Sequence, residues 1–219
     1  MAKTPISGCF SSPLDALLGT RAKVSVLRVL VGSAVPLGLR EVSRRSGMAY
    51  RSIELAIKEL VMLGLLERID GSRERLVRLS SAHRLSPAVQ DLLRAEEDFR
   101  PALQSELRVL AETGVRDGLL SVALIGAGTR GTERIGDPLE LLLLAREPAS
   151  ATKWRLLFQR AGADIARRFG ARLAVVSYDL DQARKMWQTR TQAAEQTIRE
   201  AEMLAGGSVE LLLERGIER

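Results

Sequence analysis

The sequence predicts a two-domain chain: an α+β first domain of helices and a hairpin, a helical connector, and a second domain of the α/β class. Two patterns support this fold class. Apolar residues recur at helical spacing over much of the first 113 residues, whereas three short apolar runs beyond residue 117 are typical of buried strands. The 219 residues are 46% hydrophobic and 27% charged, which is typical of a globular protein with a substantial core.

The charge is distributed unevenly along the chain. Residues 1–86 hold 14 Lys and Arg against 7 Asp and Glu, whereas residues 87–219 hold 19 against 20. This division indicates an anionic partner for the first part only. One cysteine and one histidine exclude an internal disulfide, cysteine-rich zinc sites and most histidine-based catalysis. We expect no cofactor, no metal, no membrane span and a cytoplasmic location.

The first domain is predicted to cover residues 14–84. Apolar spacing predicts helices over residues 20–31, 39–46 and 50–63. Gly47 ends the second helix, because glycine tolerates the positive φ that helix ends adopt. Residues 65–69 and 75–79 are predicted strands, joined by a turn over 70–74 that opens with the Asp-Gly hairpin signal.

Three helices followed by a basic hairpin suggest a winged helix-turn-helix. Residues 39–48, LREVSRRSGM, resemble the helix and turn of bacterial and archaeal winged-helix regulators. Residues 52–60 and the following LGLLER at 63–68 resemble their recognition helix and the entry to the wing. The resemblance covers residues 14–80 and implies a transcriptional regulator that binds double-stranded DNA, expected here as a homodimer.

In a helix-turn-helix protein the recognition helix enters the major groove. Arg51 is the best candidate for reading a base, because its fork matches the guanine O6/N7 pair, while Tyr50 and Lys58 suit phosphate. Glu54 repels phosphate unless it accepts from a cytosine amine. The alternative for each residue taken alone is a solvated surface side chain. The predicted DNA-binding residues are Arg40, Arg44, Arg45, Tyr50, Arg51, Glu54, Lys58, Arg73 and Arg75.

Residues 85–114 form the predicted helical connector. Pro101 is expected to interrupt or restart this helix, because proline lacks the N–H that the helical ladder needs. Gly114 is expected to close it. Two roles stay open for the connector: dimerisation, or packing of the two domains.

The second domain is predicted to cover residues 115–219. Its apolar runs predict strands over 119–125, 139–145 and 172–178. Helices are predicted over 150–169, 179–204 and 209–214. Asp179 is expected to cap the helix that follows it.

Two short motifs connect the strands of the second domain. Residues 126–131, GAGTRG, follow the first strand, and residues 136–141, GDPLEL, lead into the second. Together they resemble the signature of the nucleotidyltransferase superfamily of the minimal, MNT type, in which Gly-Ser-x-Ala-Arg-Gly precedes Ser-Asp-x-Asp-Leu. The resemblance implies a site for a nucleotide or another phosphate ligand, and the alternative is a surface turn kept for its shape. The candidate residues are Gly126, Gly128, Arg130, Gly131 and Asp137.

The resemblance implies two carboxylates, two residues apart on an extended segment, that share a pair of catalytic Mg²⁺ ions. The sequence departs from this signature at those carboxylates. If Asp137 is the first carboxylate, Leu139 stands where the second should be, and Glu140 points to the other face of the strand. If Glu140 is the second carboxylate, Pro138 stands where the first should be. Ala127 also replaces the serine of the family's Gly-Ser pair. These departures predict that the domain has lost catalysis and that the chain is not an enzyme.

The sequence-based function is therefore a DNA-binding transcriptional regulator. Its nucleotidyltransferase-like domain is expected to serve dimerisation or ligand sensing. The alternative is an active nucleotidyltransferase that uses its winged helix to hold a nucleic-acid or protein substrate. The incomplete carboxylate pair is the feature that separates the two.

Overall fold

A computed structural model of the chain describes residues 13–70, 75–134 and 136–214. The structure is mixed α and β with two sheets, and its contacts divide it into two compact units. Unit 1 extends to Asp98 and unit 2 begins at Phe99. Within the described ranges, no helix is both long enough and apolar enough to cross a bilayer.

Unit 1 contains a three-stranded antiparallel sheet in the order β1-β3-β2. Its elements are α1 (Pro13–Leu18), α2 (Arg21–Val31), β1 (Leu37–Gly38), α3 (Leu39–Ser46), α4 (Tyr50–Met62), β2 (Leu66–Asp70), β3 (Arg75–Leu79) and the start of α5 (Ser86–Arg116). The three predicted helices and both hairpin strands are present. The intervening residues 71–74, including the predicted DNA contact Arg73, lie outside the described residues.

Helical periodicity explains how α4 is held in unit 1. Ile53, Ile57 and Leu60 recur on one face and are fully buried against Leu27 of α2 and Val77 of β3. Burying each such side chain contributes roughly 1.5–3 kcal/mol. The opposite face of α4 is therefore left for solvent or a partner.

The connector helix α5 runs without a break from Ser86 to Arg116, with Pro101 inside it. The prediction that Pro101 interrupts this helix is wrong. Residues 94–102 are all exposed, so water can satisfy the carbonyl group that proline leaves without a donor. Gly114 does not close the helix either. It lies under Leu119 and Trp154, where a Cβ would come within 2.6 Å of a Leu119 methyl carbon.

Unit 2 contains a four-stranded mixed sheet in the order β6-β5-β4-β7, in which β5 and β6 are parallel and the other pairs are antiparallel. Its elements after α5 are β4 (Leu119–Ile125), α6 (Ala127–Arg130), β5 (Leu139–Ala145), α7 (Pro148–Phe169), β6 (Leu173–Asp179), α8 (Leu180–Gln188), α9 (Gln192–Arg199), β7 (Glu202–Gly206) and α10 (Val209–Glu214).

The two faces of this sheet have separate cores. Leu141 and Leu143 of β5 pack with Phe158 of α7 on one face. Leu142 and Leu144 pack with Trp187 of α8 on the other. The alternation of β5 thus buries successive side chains on opposite sides, as a strand covered on both faces requires.

The prediction of one helix over residues 179–204 is wrong. Asp179 does cap α8, accepting from the backbone N–H of Gln182 at 2.9 Å. However, α8 ends at Gln188, Thr191 caps the separate helix α9, and β7 pairs with β4 as an edge strand. This pairing with a strand some 80 residues earlier overrides the helix propensity of the β7 sequence.

Candidate functional site

A groove of about 480 Å³ opens in unit 1 between α4 and the hairpin strands. The residues that line it are Leu39, Arg51, Glu54, Leu55, Lys58, Arg68 and Arg75. Four of these seven are basic and one is acidic, so the groove carries a positive charge. Positions 51, 54, 55 and 58 lie on one face of α4, because residues three and four apart on a helix are neighbours.

The four basic side chains of the groove are exposed. Among the side chains that the structure describes, which do not include Asp70 and Glu74, none offers these cations a carboxylate oxygen within 4.0 Å. The described part of unit 1 thus offers an anionic partner four exposed basic side chains in one groove. We call Arg51, Lys58, Arg68 and Arg75 the groove cations.

Two arginines of α3, unlike the groove cations, form ion pairs with a described carboxylate. Glu41 accepts hydrogen bonds from Arg44 and Arg45, each at 2.6 Å. These bonds, that from Arg44 first, lower the pKa of Glu41 to about 2, and the same contact raises the pKa of Arg44. Two cations thus share one anion on α3, which leaves this surface less positive than its arginine count suggests.

The structure brings together only part of the predicted DNA-binding set. Arg51, Glu54, Lys58 and Arg75 line the groove, whereas Arg40 and Tyr50 are exposed outside it. The sequence analysis missed Arg68. A signal existed, because Arg68 lies on the hairpin strand that pairs with the strand carrying Arg75.

The glycine loop of unit 2 follows β4. Gly126 has φ 77° and ψ −148°, a conformation that residues with a side chain rarely adopt. A Cβ at this position would lie 3.0 Å from a Glu140 carboxylate oxygen. Glycine therefore permits the Glu140 side chain to pack against the loop backbone. The Thr129 hydroxyl donates to the Gly126 carbonyl oxygen at 2.8 Å and closes the turn.

The remaining candidate residues, Gly128, Arg130, Gly131 and Asp137, have different surroundings in the structure. Arg130 donates to Glu200 at 2.7 Å, and hydrogen bonds from Gln196 and Arg130 lower the pKa of Glu200. Gly128 and Asp137 line a pocket of about 340 Å³. Gly131 adopts φ 64° at the end of α6. The structure thus does not gather these residues around one point.

The carboxylates near the loop are also separate. Asp137 accepts from the backbone N–H of Arg134 at 2.8 Å. Leu139 packs into the core on the α7 side of the sheet, so Glu140, one residue later, faces the other side. In the part of the chain that the structure describes, no three Asp, Glu, His or Cys side chains could jointly hold a metal ion. These residues do not fit the magnesium pair that the resemblance implies, and we derive no step through it.

Comparison with known proteins gives structural matches alone. No protein-family model matches the chain, and no curated protein matches it. A toxin-antitoxin structure with AMP-PNP matches 51% of this chain and 83% of its own, at 16% identity and a TM-score of 0.30. A mutant of the toxin-antitoxin MntA-HpeT matches 52% and 83%, at 16% identity and a TM-score of 0.31. PigF with SAH matches 80% and 60%, at 18% identity and a TM-score of 0.27.

These matches correct one prediction. The comparisons stand against the expectation that the chain is not an enzyme: two of the matched structures are toxin-antitoxin proteins, one of them determined with the nucleotide analogue AMP-PNP. That expectation is therefore withdrawn. The missing second carboxylate remains a fact of the sequence, but it no longer supports a conclusion about activity.

Proposed function

We propose that unit 1 is a winged helix that binds double-stranded DNA, with α4 in the major groove and the β2–β3 hairpin as the wing. The observation that carries this proposal is the groove between them, which is lined by four basic side chains and one acidic one. The element order supports it as well, since α2, α3 and α4 precede a hairpin whose second strand pairs with β1.

The positions of the groove cations suggest a division of roles. Arg51 lies in the first turn of α4, the part of a recognition helix that contacts base edges, so it is assigned to guanine. Lys58, Arg68 and Arg75 are assigned to phosphates. Glu54 sits among them and disfavours phosphate, so it is assigned to a cytosine amine. Arg40, Arg44, Arg45 and Tyr50 remain proposed contacts at the margin of this surface.

A titration of the full chain with labelled duplexes tests this proposal. The chain is first allowed to select its preferred site from random duplexes, and its affinity is then measured by fluorescence anisotropy. Arg51→Ala is expected to cost roughly 1–3 kcal/mol on the selected site and to relax its sequence preference. Arg94→Ala, which removes an exposed arginine of α5, is the matched control. Failure of every duplex to bind in a salt-dependent manner contradicts the proposal.

The role of DNA binding is proposed as transcriptional regulation by a homodimer in the cytoplasm. Two copies of the chain bound to a palindromic site would place their α4 helices about 34 Å apart, one turn of DNA. Sedimentation of the free chain and of its DNA complex measures this stoichiometry. A complex that holds one chain per selected site contradicts the dimer.

A second candidate function is nucleotidyl transfer by unit 2 as a nucleotidyltransferase-like domain. The specific observation that favours it is the Glu140 carboxylate against the glycine loop. Incubation with nucleoside triphosphates labelled at the α-phosphate, in the presence of DNA, RNA and proteins, tests it. Incorporation that Glu140→Gln abolishes and the exposed control Glu147→Gln preserves supports this function. Absence of incorporation by the natural chain refutes it.

A further inference from the structure

An apolar pocket of about 580 Å³ lies on the face of the unit 2 sheet that packs with α8 and α10. Pockets of this size hold small molecules in many proteins. Its apolar lining comes from three strands and from the helices and includes Leu142, Leu144, Val176, Met186, Trp187 and Ile198. We call it the Trp187 pocket.

Two features indicate that this pocket suits an apolar ligand. Val176 on its sheet side keeps 40% of its surface exposed, and Met186 on its helix side keeps 54%. Exposed apolar side chains gathered in a concavity mark binding sites more often than scattered ones do. Methionine also adapts its shape to a ligand, because its side chain is unbranched and flexible.

Arg190 is the one charged residue among the described residues that line the pocket. Its guanidinium lies 4.1 Å from the centre of the Trp187 ring, and one of its terminal nitrogens donates to the Trp187 carbonyl oxygen at 3.0 Å. Glu195 approaches the Arg190 Nε at 3.4 Å, but it also binds Arg199 at 2.6 Å, and Arg199 has a second acid, Glu210, at 3.4 Å. Glu195 is thus shared by two arginines, and it makes no hydrogen bond to the Arg190 Nε.

Two buried N–H groups at this pocket have no hydrogen-bond acceptor in the described part of the chain. They are Nε1 of Trp187, a residue that is only 4% exposed, and Nε of Arg190. An unpaired buried donor destabilises the fold, because it has lost its hydrogen bonds to water without gaining an acceptor. The Arg190 Nε already has the Glu195 carboxylate at 3.4 Å, so Nε1 of Trp187 is the donor, on a residue that lines the pocket, that favours a ligand with an acceptor.

We propose that the Trp187 pocket binds a small, apolar carboxylic acid. The carboxylate accepts hydrogen bonds from Arg190 and Trp187, and the apolar body packs on Leu142, Val176 and Met186. A single cation suits a monoanion. A nucleoside triphosphate carries several negative charges and requires more cations than this lining provides.

Calorimetric titration of the full chain with naphthalene-2-acetate tests the proposal, and the neutral naphthalene-2-acetamide is the matched ligand. We expect saturable binding of the acid and at least tenfold weaker binding of the amide. Arg190→Met is expected to remove this preference. Equal binding of acid and amide by the natural chain overturns the assignment of a carboxylate.

A pair of neighbouring substitutions on α9 locates the binding independently of Arg190. Ala194 lines the pocket, whereas Ala193 is exposed beside it. Ala194→Phe fills the pocket and is expected to abolish binding of the acid, while Ala193→Phe is expected to preserve it, with circular dichroism confirming that both variants fold. Absence of saturable binding to the natural chain, or unchanged binding to Ala194→Phe, overturns the proposal.

Discussion

Removing the three groove cations that are assigned to phosphates, Lys58, Arg68 and Arg75, one at a time is expected to lower the salt dependence of DNA binding in equal steps. Each neutralised phosphate releases counterions and contributes about −0.9 to the slope of log K against log salt. Lys58, Arg68 and Arg75 are all exposed, and among the side chains that the structure describes no carboxylate oxygen lies within 4.0 Å of them. The three phosphate contacts assigned to Lys58, Arg68 and Arg75 therefore give a slope near −2.7, or about a 40-fold loss of affinity between 50 and 200 mM salt.

Fluorescence anisotropy at several salt concentrations measures this slope. Arg75→Gln is expected to reduce its magnitude by about 0.9 and to weaken all duplexes about equally. Arg94→Gln changes the net charge by the same amount and is expected to leave the slope unchanged, because Arg94 does not line the groove. Equal effects of the two substitutions would show that total charge, and not the groove, governs the affinity.

Three further predictions concern the fold and its ion pairs. Gly206→Ala should lower the free energy of unfolding in urea by at least about 2 kcal/mol, because φ is 86° and a Cβ would lie 2.3 Å from a carbonyl oxygen of β4. Gly207→Ala is the control, because a Cβ there meets only ordinary contacts. Equal stability of the two variants would contradict the β4–β7 pairing. The Glu41 carboxyl should titrate with a pKa of about 2 in carboxyl NMR. Its pairing with the two arginines is then complete above pH 4.5 and is lost as the pH falls toward 2. A pKa near 4.5 would contradict this pairing. Glu59→Gln should lower the free energy of unfolding in urea by about 1–3 kcal/mol, because it removes the anion that lies 2.7 Å from the buried Lys23 ammonium. Adding Lys23→Met in the double variant should recover part of that loss. Unchanged stability of Glu59→Gln would contradict this role for the ion pair.

Local sequence patterns predicted unit 1 well, because the signals for its helices and strands lie within each element or directly beside it. The stripe of α4, the glycine after α3 and the strand pattern of the hairpin each depend on neighbouring residues. The strand β7 escaped prediction because residues 202–206 contain good helix formers, and only pairing with a distant strand makes them extended. Gly206 was the available signal, since its backbone lies against β4 where no side chain fits.

The residue types of the candidate site could be predicted from the sequence, but the side chains with which those residues pair could be predicted less well. Arg51, Lys58 and Arg75 were found from the outward face of α4 and from the wing. The pairing of Arg44 with Glu41 was visible in the three-residue spacing on one helix, although the sequence analysis assigned that arginine to DNA alone. The Trp187 pocket had no sequence signal, because its walls come from strands and helices that meet only in the folded unit.

The most direct test of DNA binding by this groove is a site-directed cross-link. Leu55 lines the groove and is 57% exposed, whereas Leu92 on α5 is 55% exposed and lies outside it. Each is replaced by cysteine in a Cys9→Ser chain, labelled with a photoactivatable azide and irradiated with the selected duplex. We predict that the Leu55→Cys chain cross-links to DNA and the Leu92→Cys chain does not. Cross-linking from position 92 without any from position 55 would contradict the account.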